Sequence, residues 1–210
     1  MTLRKTLAAT GLALLAFGAQ ASNLVTNGSF ESNAQANGTW AIYSNLVGWT
    51  AGSKGIELRN NVAGQAQDGN NFVELDVRQN SVMSQNILGT GLVNLSFFYA
   101  ARPNTGATNG LGFSFGTIGN STLLAGISNA TGMHNWLQYT LNNFQLDADG
   151  STTLSFFANG PSDGLGGSLD NISVNAVSPV PEVETYAMLL AGLGLIGVAS
   201  RRRRDKALTA

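Results

Sequence analysis

Apolar and polar residues alternate through most of this chain, and the alternation gives way to unbroken apolar runs only near its two ends. Val73, Leu75 and Val77 alternate with Phe72, Glu74 and Asp76. Val93, Leu95, Phe97 and Tyr99 form a second row, Leu111, Phe113 and Phe115 a third, Leu137, Tyr139 and Leu141 a fourth, and Ile172, Val174 and Ala176 a fifth. A period of two puts one set of side chains on a single face of a strand, so each row predicts a strand with one buried side. Turn formers separate the rows: Asp68-Gly69, Gly89-Thr90-Gly91, Asn104-Thr105-Gly106, Asp149-Gly150 and Asn159-Gly160-Pro161. These residues either tolerate positive φ or pre-set a bend. No helical period appears outside the ends, and many short strands joined by turns predict an all-β, antiparallel jelly-roll β-sandwich over residues 22–178. Leu95-Ser96-Phe97-Phe98 recurs as Leu154-Ser155-Phe156-Phe157. That recurrence fits two equivalent central strands of one sandwich, or the common look of aromatic-rich strands.

The two apolar runs read differently. At the start, Arg4 and Lys5 precede Leu7 to Phe17, and Ala19-Gln20-Ala21 supplies a small-x-small cleavage pattern. This predicts a signal peptide over 1–21 and a mature chain from Ser22. Beyond a proline-bearing linker at 179–184, the segment 185–206 carries the run Tyr186 to Ser200, which stops against Arg201, Arg202, Arg203 and Arg204. Arginines held on the cytoplasmic side arrest a translocating chain. The run would make a transmembrane helix of roughly 22 Å, against a hydrocarbon core of roughly 30 Å. Gly192, Gly194 and Gly197 weaken it further, which suits a temporary hold in the inner membrane.

Val180-Pro181-Glu182, Thr185, Ala187-Met188-Leu189-Leu190, Gly192-Leu193-Gly194-Leu195 and the arginine cluster together resemble the PEP-CTERM sorting signal, although Val183 stands where that family usually has its second proline. The resemblance implies processing by an exosortase and release to the bacterial cell surface or the extracellular matrix, with Pro181, Glu182 and Arg201 to Arg204 as the signal residues.

Charge narrows the function of the part between. Residues 22–178 contain four basic residues, Lys54, Arg59, Arg78 and Arg102, against nine acidic ones, a balance of −5. Such a domain is a poor partner for a phosphate backbone, so nucleic acid is excluded. Cysteine is absent, so no disulfide braces a domain bound for an oxidising compartment. Calcium held by carboxylates would serve as another brace.

Asn23-Leu24-Val25 with Asn27-Gly28-Ser29-Phe30-Glu31 opens the domain, and Leu169-Asp170-Asn171-Ile172-Ser173-Val174 closes it. The pairing resembles the galactose-binding-like β-sandwiches, which include several carbohydrate-binding module families. It implies a structural calcium (Ca2+) on Glu31 and Asp170 that ties the first and last strands together. The other reading has Glu31 capping a turn and Asp170 accepting backbone N–H groups. Gln67 to Asp76 and Ala101-Arg102-Pro103 resemble segments of exported relatives with this tail. On that basis Glu74, Asp76 and Arg102 converge on one sheet face to hydrogen-bond sugar hydroxyls, or else form an ion pair or a solvated face. Trp40, Trp49 and Trp136 are the stacking candidates, with Trp136 placed in the ligand-binding set.

Catalysis finds little support. His134 is the sole histidine and lacks a G-x-S-x-G or histidine-cluster context, while Asp147 and Asp149 read as a hairpin turn beside Gly150. The expected function is therefore non-catalytic binding of extracellular polysaccharide by an exported protein. The alternative is a structural matrix or biofilm protein with no specific glycan ligand.

Overall fold

A computed structural model describes residues 22–105, 110–118, 124–125, 132–177, 189–197 and 201. The expected signal peptide, Pro181, Glu182 and Arg202 to Arg204 lie outside the described residues.

Twelve strands are assigned among them: β1 Thr39–Tyr43, β2 Asn45–Leu46, β3 Trp49–Ala51, β4 Ile56–Asn60, β5 Asn71–Glu74, β6 Val82–Leu88, β7 Leu92–Ala100, β8 Gly110–Phe115, β9 Leu124–Ala125, β10 Leu137–Gln145, β11 Ser151–Asn159 and β12 Ser168–Ala176. They form two six-stranded antiparallel sheets, ordered β1-β4-β5-β12-β7-β10 and β2-β3-β6-β11-β8-β9. From β5 onward the chain passes back and forth between the sheets, except at β8 and β9, which pair within one sheet.

The expected rows point inward. Val93, Leu95 and Phe97 on β7 meet Leu111, Phe113 and Phe115 on β8 and Leu154 and Phe156 on β11, all buried. Phe97 and Phe156 sit 4.9 Å apart and nearly perpendicular, with Phe113 5.4 Å from Phe97. The two Leu-Ser-Phe-Phe runs are thus interior strands of opposite sheets, and their phenylalanines interlock at the centre. Each such ring contributes roughly 1.5–3 kcal/mol through its burial.

Period two fails at two bulges. In β12 the register slips between Asp170 and Ser173, with Asn171 at φ 47°; in β10 it slips between Leu141 and Phe144, with Asn143 at φ 56°. Asparagine tolerates the left-handed region better than most residues. The slip in β12 lets Leu169 and Ile172, three apart, both face the core.

The two ends of the domain are joined through backbone. Leu24 N–H donates to Val174 O at 2.7 Å, and Ile172 N–H donates to Gly28 O at 3.0 Å. A Cβ at Gly28 would lie 2.0 Å from the Ile172 carbonyl oxygen, so only glycine permits this approach.

Residues 178–210 form a second compact unit, in which a helix runs over 189–197. Among the described residues no helix is long and apolar enough to cross a membrane.

Candidate functional site

Directly opposed residues in antiparallel strands point to the same side of a sheet, and this register builds one charged face. Ile56, Leu58 and Val73 turn to the core. Their neighbours turn outward in two rows: Trp40 opposite Arg59 opposite Phe72, and Ile42 opposite Glu57 opposite Glu74 opposite Ser168. β4 therefore reads as half-polar in sequence, yet it is buried on both faces.

Its outward charges pair. Arg59 Nη2 lies 2.5 Å from Glu57 Oε1 and 2.9 Å from Glu74 Oε2, and Arg102 Nη1 lies 3.6 Å from Glu74 Oε1. Gly166 N–H donates to Glu74 Oε1 at 2.8 Å, while Arg102 Nη1 donates to Gly164 O at 3.0 Å. Asp76 Oδ2 accepts the N–H groups of Asp163 and Gly164, both at 2.9 Å. Glu74, Asp76 and Arg102 do converge, as the sequence suggests, but they clamp the loop that precedes β12. Burial pushes the Glu74 carboxyl up to about 7 and raises Glu57 as well, even though Arg59 beside them acts in the opposite direction. Glu74 is wholly buried and Asp76 nearly so, which removes both from direct contact with a sugar. The ion-pair reading fits Glu74, while Asp76 is a buried acceptor of backbone N–H groups. Glu57 and Arg59 complete the network; in sequence they resemble ordinary exposed charges of an alternating strand, and only the register shows otherwise.

An aromatic group lies over the same face. Phe72 meets His134 at 4.8 Å and Trp136 at 6.1 Å, both edge-on. His134 Nδ1 lies 2.8 Å from Gln65 O and its Nε2 lies 2.8 Å from Ser168 Oγ. A carbonyl only accepts, so Nδ1 carries the proton and the Ser168 hydroxyl donates to Nε2. Burial, with the charges of Arg59 and Arg102 adding to it, lowers His134 to about 4 and keeps it neutral. Gly64 makes room for this ring: at φ 134°, its missing Cβ would fall 2.1 Å from His134 Cε1. Ser168 is buried on its strand, so the pair ties the segment carrying His134 to β12.

The three tryptophans divide. Trp49 is a core residue, 2% exposed, with its N–H on Asn27 O at 3.1 Å. Trp136 is half-buried and donates to Gln65 O at 3.1 Å. Trp40 is 50% exposed on edge strand β1, with Ile42 outward beside it. No feature of the sequence separates Trp40 from Trp49, because a lone tryptophan carries no sign of which face it occupies.

At the other end of the same sheet, two carboxylates hold one loop. Glu31 Oε1 accepts the N–H groups of Asn70 and Asn71 at 2.8 and 2.6 Å. Asp170 Oδ2 accepts those of Gln67 and Asp68 at 2.7 and 3.0 Å, and Oδ1 accepts that of Asn171 at 2.7 Å. Burial, with the nearby charge of Asp68 adding to it, pushes Asp170 up to about 7. No ion pair engages Asp170, and no group of three or more metal-ligating His or acidic side chains occurs, among the described residues. These hydrogen bonds are the arrangement expected of Glu31 as a turn cap and Asp170 as an acceptor of backbone N–H groups, and a calcium ion here would be held by these two carboxylates. The remaining ligands would have to be backbone carbonyls.

Residues 179–204 match the PEP-CTERM protein-sorting motif, so the chain is an exported protein with a C-terminal sorting signal. No curated protein matches its sequence. Among solved structures, a Stig cyclase from Fischerella sp. TAU aligns over 75% of this chain and 98% of its own, at TM-score 0.52 and 12% identity. TmCBM61 in complex with β-1,4-galactotriose aligns over 73% and 98%, at 0.49 and 14%. The CBM22-1 xylan-binding domain of Paenibacillus barcinonensis Xyn10C aligns over 76% and 97%, at 0.44 and 16%. At such identities a likeness is one of fold. The paired antiparallel sheets agree with the jelly-roll sandwich that the terminal motifs imply.

Proposed function

We propose that this exported protein binds polysaccharide without catalysis, through the outward face of the sheet that begins with β1. The observation that carries the proposal is the half-exposed Trp40 standing beside Ile42 on an edge strand whose next neighbours are buried, ion-paired charges. A flat indole stacks on the apolar face of a sugar ring, and a rigid charged network beneath keeps the strand from yielding. Arg102, partly exposed, and Trp136 lie along the same face, where the guanidinium offers donors and the indole adds ring surface at the rim.

The sorting signal gives this binder its place. An exosortase processes the tail after a transient hold in the inner membrane, leaving the sandwich at the cell surface or in the extracellular matrix. A structural calcium at the clamp would be held by Glu31 and Asp170 with backbone carbonyls, and would supply the positive charge that Asp170 lacks.

Pull-down of the full-length protein on insoluble polysaccharides tests the reading. Trp40→Ala is expected to weaken retention about tenfold, the loss of roughly 1.4 kcal/mol of stacking, with the melting temperature unchanged. If no glycan retains the wild type, with or without calcium, the structural matrix role replaces this one.

A further inference from the structure

A second feature lies where the β3–β4 turn meets the chain that follows β5. A cleft of about 460 Å3 opens there, lined by Ile42, Ser53, Lys54, Val77, Arg78 and Gln79. A smaller cleft of about 260 Å3 shares Ser53 and Lys54 with it and is walled by Val82 and Phe157. The larger volume is within the range of roughly 300–1,000 Å3 usual for small-molecule sites.

Its charge is set against that of the domain. Of the four basic residues in residues 22–178, Arg59 and Arg102 are bound to Glu57 and Glu74. Lys54 and Arg78, both exposed, make no ion pair among the described residues, and both line this one cleft. In a domain with an acidic balance, its two uncommitted cations thus share a single concave site. A cleft concentrates such a field more than a flat surface does, and the planar guanidinium matches a carboxylate with two parallel hydrogen bonds.

The site is also built on fixed backbone. Gly52 N–H donates to Val82 O at 2.8 Å, Gly55 N–H donates to Gly52 O at 3.0 Å, and the Ser81 hydroxyl donates to Gly55 O. Gly55 adopts φ 83°, and a Cβ there would lie 2.7 Å from Ile42 Cγ2, so the turn closes tightly on β1. Lys54 is therefore presented from a turn anchored on both sides.

We infer that this cleft binds the carboxylate of an acidic sugar unit, a uronate within an anionic polysaccharide. Lys54 and Arg78 take the carboxylate, Ser53 and Gln79 meet ring hydroxyls, and the Val82 and Phe157 wall receives the apolar face of the adjoining sugar. The cleft adjoins the Trp40 face at Ile42, which belongs to both, but its cations come from the β3–β4 turn and the chain after β5. It deepens the glycan-binding reading by naming a charge preference, and it rests on that reading only in that the ligand is a saccharide.

Calorimetric titration of the full-length chain in detergent micelles tests it with three probes at one ionic strength: trigalacturonate, its methyl ester and inorganic phosphate. The acid is expected to bind at least about tenfold more tightly than the uncharged ester, to weaken as salt rises, and to outcompete phosphate. Lys54→Ala combined with Arg78→Ala is expected to erase that preference with the melting temperature unchanged, because both side chains are exposed. Equal binding of acid and ester, equal binding of phosphate, or a preference that survives the double substitution would overturn the assignment. Binding of a neutral polysaccharide, lost in Trp40→Ala and kept in the double variant, reports on the other face and separates the two failures.

Discussion

Asp170 sits out of reach of water with three backbone N–H groups against it, and Glu74 is equally buried beneath two arginines. Both carboxyls are pushed up to about 7, from ordinary values of 3.8 and 4.5. The folded state therefore binds more protons than the unfolded chain between those limits. Stability from these two groups is complete at low pH and is lost as pH rises through about 7. His134 acts oppositely: lowered from 6.5 to about 4, it adds stability as pH rises across that interval. Two acids outweigh one histidine, and above 6.5 the histidine offers no further compensation. Thermal melts without calcium are expected to give a higher melting temperature at pH 5 than at pH 8, with the difference reduced in Glu74→Gln. A melting temperature that rises from pH 5 to pH 8 would contradict these assignments.

At the scale of elements, the domain ends depend on how closely two stretches of backbone approach. Gly28 lies against the Ile172 carbonyl, so Gly28→Ala forces β12 and the opening segment apart. A loss of at least about 2 kcal/mol in urea unfolding is expected, because the added Cβ would meet backbone and not the end of a flexible side chain. Strands β7 and β8 are legible in the sequence because one face of each is apolar, and β10 is legible up to Leu141, where its bulge begins. β4 is not, since Glu57 and Arg59 look like solvent-facing residues until the neighbouring strands supply their partners. The Asn171 bulge likewise hides in a run that reads as regular alternation. Glu31 and Asp170 stand out by motif, and the structure places both on the loop at 67–71, from opposite ends of the domain. The exposed Trp40 had no such signal, because solvent exposure of one ring depends on which strand ends the sheet.

For the whole molecule, the sandwich has an aromatic core but no disulfide, and its first and last segments are tied by hydrogen bonds and shared core packing. Calcium bound at Glu31 and Asp170 would bind the folded state preferentially and raise its stability by mass action. Millimolar calcium is expected to raise the melting temperature by several degrees over chelator, more at pH 8 than at pH 5, because the cation needs Asp170 deprotonated. Glu31→Ala should remove most of that increment; equal melting in calcium and chelator would remove the metal from the account. The sorting motif at 179–204 marks this sandwich for export, and the proposed ligand on its outward face is a polysaccharide. Acrylamide quenching of tryptophan fluorescence probes that claim most directly, since Trp40 is the exposed indole and Trp49 is buried. A bound polysaccharide should shield the full-length wild type from acrylamide, and Trp40→Phe, in which half-buried Trp136 alone reports from that face, much less; quenching that no polysaccharide alters would contradict the glycan-binding face.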